Sequence, residues 1–154
     1  MAYAAVRVRG KIGIRPQTRD TLKYLRLNRA NHCVVVPDNE TYKGMFQDAK
    51  DYITWGEVDT ELVAEMIKTR GRLVGDKVIT DEYVKETTSF ENIDAFAKAV
   101  AEGTFKFKDL AEVKPLFRLH PPRRGFEGIK RSFVNGGALG YRGKEINALI
   151  RRML

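Results

Sequence analysis

The sequence predicts an α+β fold: a three-stranded antiparallel sheet with two helices on one face, in a ferredoxin-like β-α-β-α-β core, then a helical C-terminal lobe with a basic extended segment. Three observations carry that reading. Over residues 1–57 the apolar period switches between that of a strand and that of a helix, with connections too short for a large doubly wound sheet. Over residues 58–115 amphipathic helical stripes dominate. Residues 116–143 then mix cations, glycines and prolines, and few of their apolar residues fall at either spacing. The expected division is therefore a core, 1–57, and an extension, 58–154.

Tyr3 to Arg9 alternates, with Ala4, Val6 and Val8 on one side and Tyr3, Ala5, Arg7 and Arg9 on the other. That pattern predicts a half-buried strand with Arg7 and Arg9 on its open face. A glycine-punctuated basic loop, Gly10 to Pro16, follows. Thr18 is placed to cap a first helix through about Asn28, with Leu22 and Leu25 inward and Lys23 and Arg26 outward. Cys33 to Val36 is a continuous apolar run stopped by Pro37, as in a buried strand. Asp38 or Asn39 can cap a second helix, on which Tyr42, Met45, Phe46 and Ala49 share a face. Tyr52 to Trp55 reads as a third strand ending at Gly56.

Asp59 or Thr60 opens a third helix to Arg70 that buries Leu62, Val63, Met66 and Ile67, and Gly71 ends it. Leu73-Val74 and Val78-Ile79 flank Gly75-Asp76-Lys77 as a hairpin or extended pair. Thr80 caps a short turn to Glu86. Ser89 caps a fourth helix with Ile93, Phe96, Ala97 and Val100 as its stripe and Gly103 past its end. A short helical piece, Asp109 to Lys114, precedes Pro115. Lys144 to Leu154 is amphipathic, with Ile146, Leu149, Ile150 and Met153 inward. Arg151 and Arg152 face outward, where they also suit the negative end of the helix dipole.

Composition narrows the function. At 154 residues and 43% hydrophobic, the chain can bury a real core. No apolar run approaches the roughly 20 residues of a membrane span. Arginines interrupt what would be the apolar part of a signal peptide, so a cytoplasmic location is expected and no membrane partner. With one cysteine, Cys33, and two histidines, His32 and His120, neither a disulfide nor a zinc site is expected. Cys33 sits in an apolar run, the setting of a structural thiol rather than a nucleophile.

The net charge of +8 is segregated. Residues 1–29 hold eight Lys/Arg against one acid, residues 30–113 ten against seventeen, and residues 114–154 ten against two. Solubility alone needs no such division. Two basic ends meeting on one face would make a footprint for a polyanion. Within 116–143, Arg118, Arg123, Arg124, Lys130, Arg131 and Arg142 lie among Phe117, Phe126, Phe133 and Tyr141 and among Gly125, Gly128, Gly136, Gly137 and Gly140. Cations on glycine-shaped backbone suit folded RNA, which proteins read through phosphates, 2′-hydroxyls and splayed bases. Phe126 and Tyr141 are candidates for stacking on bases, with packing as the equal alternative.

Catalytic patterns fail. Gly-Tyr-Arg-Gly-Lys-Glu near the end lacks a P-loop's first glycine, where Ala138 stands, and its hydroxyl, where Glu145 stands. The G-x-x-G runs, such as Gly10–Gly13 and Gly125–Gly128, do not join two helices as the RNA-binding module with that loop requires. The carboxylates lie on solvated helix faces, with no pair set up for acid–base work. No cofactor, small-molecule substrate or enzyme activity is expected.

Several runs carry a more specific likeness: Asn31-His32-Cys33, Tyr42-Lys43-Gly44-Met45, Ile53-Thr54-Trp55-Gly56-Glu57, Phe117-Arg118-Leu119-His120-Pro121-Pro122-Arg123 and Val134-Asn135-Gly136-Gly137-Ala138-Leu139-Gly140. Through them the chain, over its full length, resembles the L-thirty family of large-subunit ribosomal proteins in its long archaeal form, related to the eukaryotic L-seven. The resemblance implies a non-catalytic constituent of the large subunit that binds ribosomal RNA, with 5S RNA a candidate among its partners and ribosomal proteins as neighbours. It also implies that the loop after the first strand and the proline-arginine-glycine segment reach the RNA. Here those regions supply Arg9, Lys11 and Arg15, and Arg118, His120, Arg123, Arg124, Lys130 and Arg131. Arg142 joins them by its place in the basic segment. One departure stands out: the family commonly has Arg-Gly-Gly after the second proline, whereas this chain has Arg123-Arg124-Gly125.

Two other functions compete. One is a free-standing RNA-binding assembly factor or RNA chaperone of the same fold, which would not co-sediment with large subunits in high salt. The other is a small enzyme or ligand-sensing domain built on residues 30–113, which would need inward-facing carboxylates in a cleft.

Overall fold

The computed structural model describes residues 1–10 and 12–154. Its order is β1 (Ala2–Arg7), α1 (Pro16–Tyr24), β2 (His32–Pro37), α2 (Glu40–Asp48), β3 (Ile53–Glu57), α3 (Thr60–Arg70), α4 (Asp81–Thr87), α5 (Ile93–Glu102), β4 (Phe117–Arg118), β5 (Gly128–Ser132), β6 (Gly137–Tyr141) and α6 (Glu145–Met153). Short 3-10 turns lie at Phe107–Asp109 and Phe133–Asn135.

An α+β architecture is present, but its sheet has six strands, in the order β4-β2-β1-β3-β6-β5, rather than three. Antiparallel pairing joins β1 to β2 and β3 through registers such as Ala4 with Val35 and Ala5 with Trp55. The basic segment extends both edges of that unit. β4 adds antiparallel to β2, while β6 adds parallel to β3 and β5 parallel to β6. Strands from residues 1–57 and from 58–154 thus share one sheet.

Helices cover both faces, because the strands are apolar on both. On one side Tyr3, Ala5, Val34, Ile53 and Trp55 pack with Leu22 and Leu25 at α1 and Phe46 of α2. On the other, Ala4, Val6 and Cys33 pack with Leu62 and Met66 of α3, Phe96 of α5 and Ile146 and Leu149 of α6. Every residue of β1 is consequently buried, which corrects the half-buried strand and its open arginine face. Arg7 is enclosed with the rest, 3% exposed.

Most helix boundaries follow local chemistry. α1 starts two residues before Thr18, with Pro16 at its first turn, where a missing N–H costs nothing. Asn39 caps α2, accepting from the Tyr42 N–H at 2.9 Å. Thr80 caps α4 at the Tyr83 N–H. The cap of α5 is Asn92, accepting from the Ala95 N–H, and not Ser89. Gly103 then ends α5 in the left-handed region at φ 82°.

Gly56 does not end β3, which runs on to Glu57. A Cβ at Gly56 would lie 1.8 Å from the Gly143 carbonyl oxygen, so glycine is what lets the turn into α6 press against the strand. The buried Asn147 of α6 locks that junction. Its Oδ1 accepts from the Asp59 N–H at 2.8 Å, and its Nδ2 donates to the Glu57 and Lys144 carbonyls.

Candidate nucleic-acid interface

The strand directions bring the two basic ends of the chain together. Val6 pairs with Cys33 and Thr54, His32 pairs with Arg118, and Thr54 pairs with Gly140. The exits of β1 and β4 and the entries of β2, β3, β5 and β6 therefore lie at one end of the sheet. Val8 just past β1 packs there with Ala138 and Leu139 of β6, and Phe126 of the basic segment lies against them. Phe126 is thus a packing residue, the plainer of its two readings.

Buried cations shape the backbone at this end. Arg7 donates from Nη1 to the Leu27 carbonyl at 2.7 Å, from Nε to Arg9 at 2.9 Å and from Nη2 to Gly10 at 3.1 Å. Its guanidinium is spent on holding the start of the first-strand loop. Arg142, 6% exposed, does the same for β6. It donates from Nε to Thr54 Oγ1 and from Nη2 to the Ala138 carbonyl, both at 2.8 Å, and it stacks over Phe133 at 4.9 Å. Burial pulls its pKa down, and Glu127 at 3.9 Å partly offsets that. Arg142 is therefore withdrawn from the surface that the sequence assigns it to, because its donors already serve the fold.

The segment between β4 and β5 is held by the C-terminal end of α6. The His120 N–H donates to the Met153 carbonyl at 3.0 Å and the Arg123 N–H to the Arg152 carbonyl at 3.1 Å, so the loop supplies donors that the last turn of a helix lacks. Arg152 returns the contact, donating to the Arg123 and Gly125 carbonyls and pairing with Glu127 at 3.6 Å. Sequence reasoning saw in Arg152 only a helix-end charge. On this support Arg123 and Arg124 stand exposed, as does His120. Arg124 has φ 67° and Gly125 φ 72°, two consecutive left-handed residues.

The remaining candidates divide between the edges of the sheet. Lys130 and Arg131 are exposed on β5, at one edge. Lys130 and Arg15 line one concavity with Arg9, whose guanidinium lies 5.1 Å over the Tyr52 ring; Asp48 and Asp51 share its wall. Arg118 is on β4, at the opposite edge, 3.6 Å from the Asp76 carboxylate. Lys11 lies outside the described residues. Tyr141 is half exposed, its ring tilted against Trp55 and its hydroxyl donating to Glu57. Cys33 is fully buried, and burial pushes its thiol well above its ordinary pKa, so it is no nucleophile.

Residues 3–53 match the family described as ribosomal protein L30p/L7e. Relatives are similar over almost the whole chain. A large ribosomal subunit protein uL30 of Methanobrevibacter smithii is 53% identical over 152 residues, covering 99% of both chains. One of Methanoculleus marisnigri is 51% identical over 151 residues, 98% of this chain and 99% of the relative. One of Archaeoglobus fulgidus is 50% identical, with the same coverage. The chain belongs to the ribosomal protein L30p/L7e family.

Proposed function

We propose that this chain is a structural, non-catalytic constituent of the large ribosomal subunit, in the cytoplasm, and that it binds ribosomal RNA through basic surfaces at one end of its sheet. The observation that carries the proposal is the near full-length similarity to proteins named for that subunit. What supports RNA as the ligand is the segregated charge, together with the exposed Arg15, Arg123, Arg124 and Lys130 on backbone held by internal bonds. Each cation against a phosphate would release condensed counterions, and each arginine could add two-pronged geometry. Ribosomal proteins are its neighbours in this reading, and 5S RNA is a candidate contact.

The test is Arg123→Ala with Arg124→Ala. Binding to deproteinised large-subunit ribosomal RNA should weaken and its salt dependence flatten, with Tm nearly unchanged. Equal losses of stability and binding would make the pair structural. Retention on large subunits through a high-salt sucrose gradient separates this reading from a free-standing assembly factor or chaperone.

A further inference from the structure

A second basic surface lies along the β4 edge of the sheet and gathers residues that are far apart in sequence. Arg70 ends α3, Arg72 follows it, Lys114 precedes β4 and Arg118 lies on β4; together with Asp76 and Leu116 they line one cleft. Backbone bonds fix its walls. The Lys114 N–H donates to the Arg72 carbonyl at 2.9 Å, the Val74 N–H to the Glu112 carbonyl at 2.8 Å, and Leu73 bridges Val113. Arg72 Nη1 is anchored on the Gly71 carbonyl at 2.8 Å.

Four cations face a single carboxylate here. Asp76 takes Lys114 at 2.5 Å and Arg118 at 3.6 Å. The bond to Lys114 and its charge, then Arg118 and Arg72, hold the Asp76 carboxyl below its ordinary range, the mark of an anion-favouring field. One carboxylate leaves a clear cationic excess. Arg70 has donor capacity to spare: its Nε is buried with no acceptor among the described residues, and Nη2 reaches the Leu154 carbonyl only at 3.5 Å. Basic residues at the end of α3 suit the helix dipole, but that explains only Arg70 and Arg72, whose Nη1 also reaches the Thr69 carbonyl at 3.3 Å; Lys114 and Arg118 come from a distant segment.

We propose that this cleft binds a phosphate group of an RNA backbone, with Asp76 as the internal carboxylate that moderates its affinity. The proposal rests on the reading of the chain as an RNA-binding ribosomal constituent. It makes Arg118 part of a second contact, at the β4 edge, distinct from the loop that carries Arg123 and Arg124. Clustered guanidinium and ammonium groups on fixed backbone suit the tetrahedral, multiply accepting oxygens of phosphate. An acidic protein surface is the competing occupant.

Two opposed variants test it against deproteinised large-subunit ribosomal RNA over a salt series, with Tm as the folding control. Asp76→Asn removes the carboxylate while keeping a residue that tolerates its φ of 60°. It should tighten binding by about three- to fivefold, the size of one nearby charge at the surface. Arg72→Gln with Arg118→Gln should weaken binding by roughly tenfold and lower the salt slope by about one. If both variants leave RNA affinity unchanged while Arg123→Ala with Arg124→Ala weakens it, the cleft proposal is overturned and the RNA-binding reading stands. If none of the three affects RNA binding, that reading falls as well. Unchanged RNA affinity with reduced retention on intact large subunits would assign the cleft to a protein neighbour and also overturn the proposal.

Discussion

The Arg142 guanidinium donates to Thr54 Oγ1 at 2.8 Å, and that hydroxyl in turn donates to the Gly140 carbonyl at 2.8 Å. A charged side chain from the basic segment thereby stitches β6 to β3 from inside. Truncating it leaves the Ala138 carbonyl and Thr54 Oγ1 without this buried donor, while Glu127 keeps only Arg152. Arg142→Ala should lower stability by about 3 kcal/mol in urea unfolding. RNA affinity measured well below the transition should stay within about twofold. A variant as stable as the parent that binds RNA poorly would return Arg142 to the interface.

Arg124 occupies a backbone conformation that costs an ordinary residue about 1 kcal/mol. The left-handed geometry at Arg124, φ 67°, is one that glycine adopts without that cost. Arg124→Gly should therefore leave stability unchanged or raise it by up to about 1 kcal/mol while weakening RNA binding. Loss of stability with intact binding would show that the side chain serves the fold.

Tyr141 donates to Glu57, and that bond, followed by desolvation and the Glu57 charge, pushes its phenol up to about 12 from 10.0. A raised acid pKa means that the folded state favours the protonated phenol. The stabilisation is complete below pH 10 and is lost as the pH rises through about 12. The stability advantage of the parent over Tyr141→Phe should accordingly shrink across that window in urea titrations at stepped pH. A pH-independent difference would show that the bond to Glu57 does not govern this phenol.

The helices were largely legible because a 3.6-residue apolar period is written locally: the Leu62, Val63, Met66, Ile67 stripe and the Ile146, Leu149, Ile150, Met153 stripe are buried as read. Most of the sheet's extension was not. β4 is two residues long, β5 carries no apolar alternation, and β6 is glycine-rich and pairs with a partner far away in sequence, Thr54 with Gly140. Gly56 looked like a stop signal because a need for space beside Gly143 and a turn leave the same letter. Arg7 and Arg142 looked exposed because nothing next to them in sequence names the carbonyls that take up their donors. The cleft of Arg70, Arg72, Lys114 and Arg118 was invisible for the same reason, since backbone pairing between residues 72–74 and 112–114 brings those residues together.

Photocrosslinking from single positions in assembled large subunits, read at nucleotide resolution on the RNA, tests the central claim most directly. A photoreactive residue at position 15 and another at position 124 should each crosslink to ribosomal RNA, since the first-strand loop and the proline-arginine loop leave the same end of the sheet. Crosslinks from either position only to protein, with none to RNA, would contradict a shared RNA-docking surface.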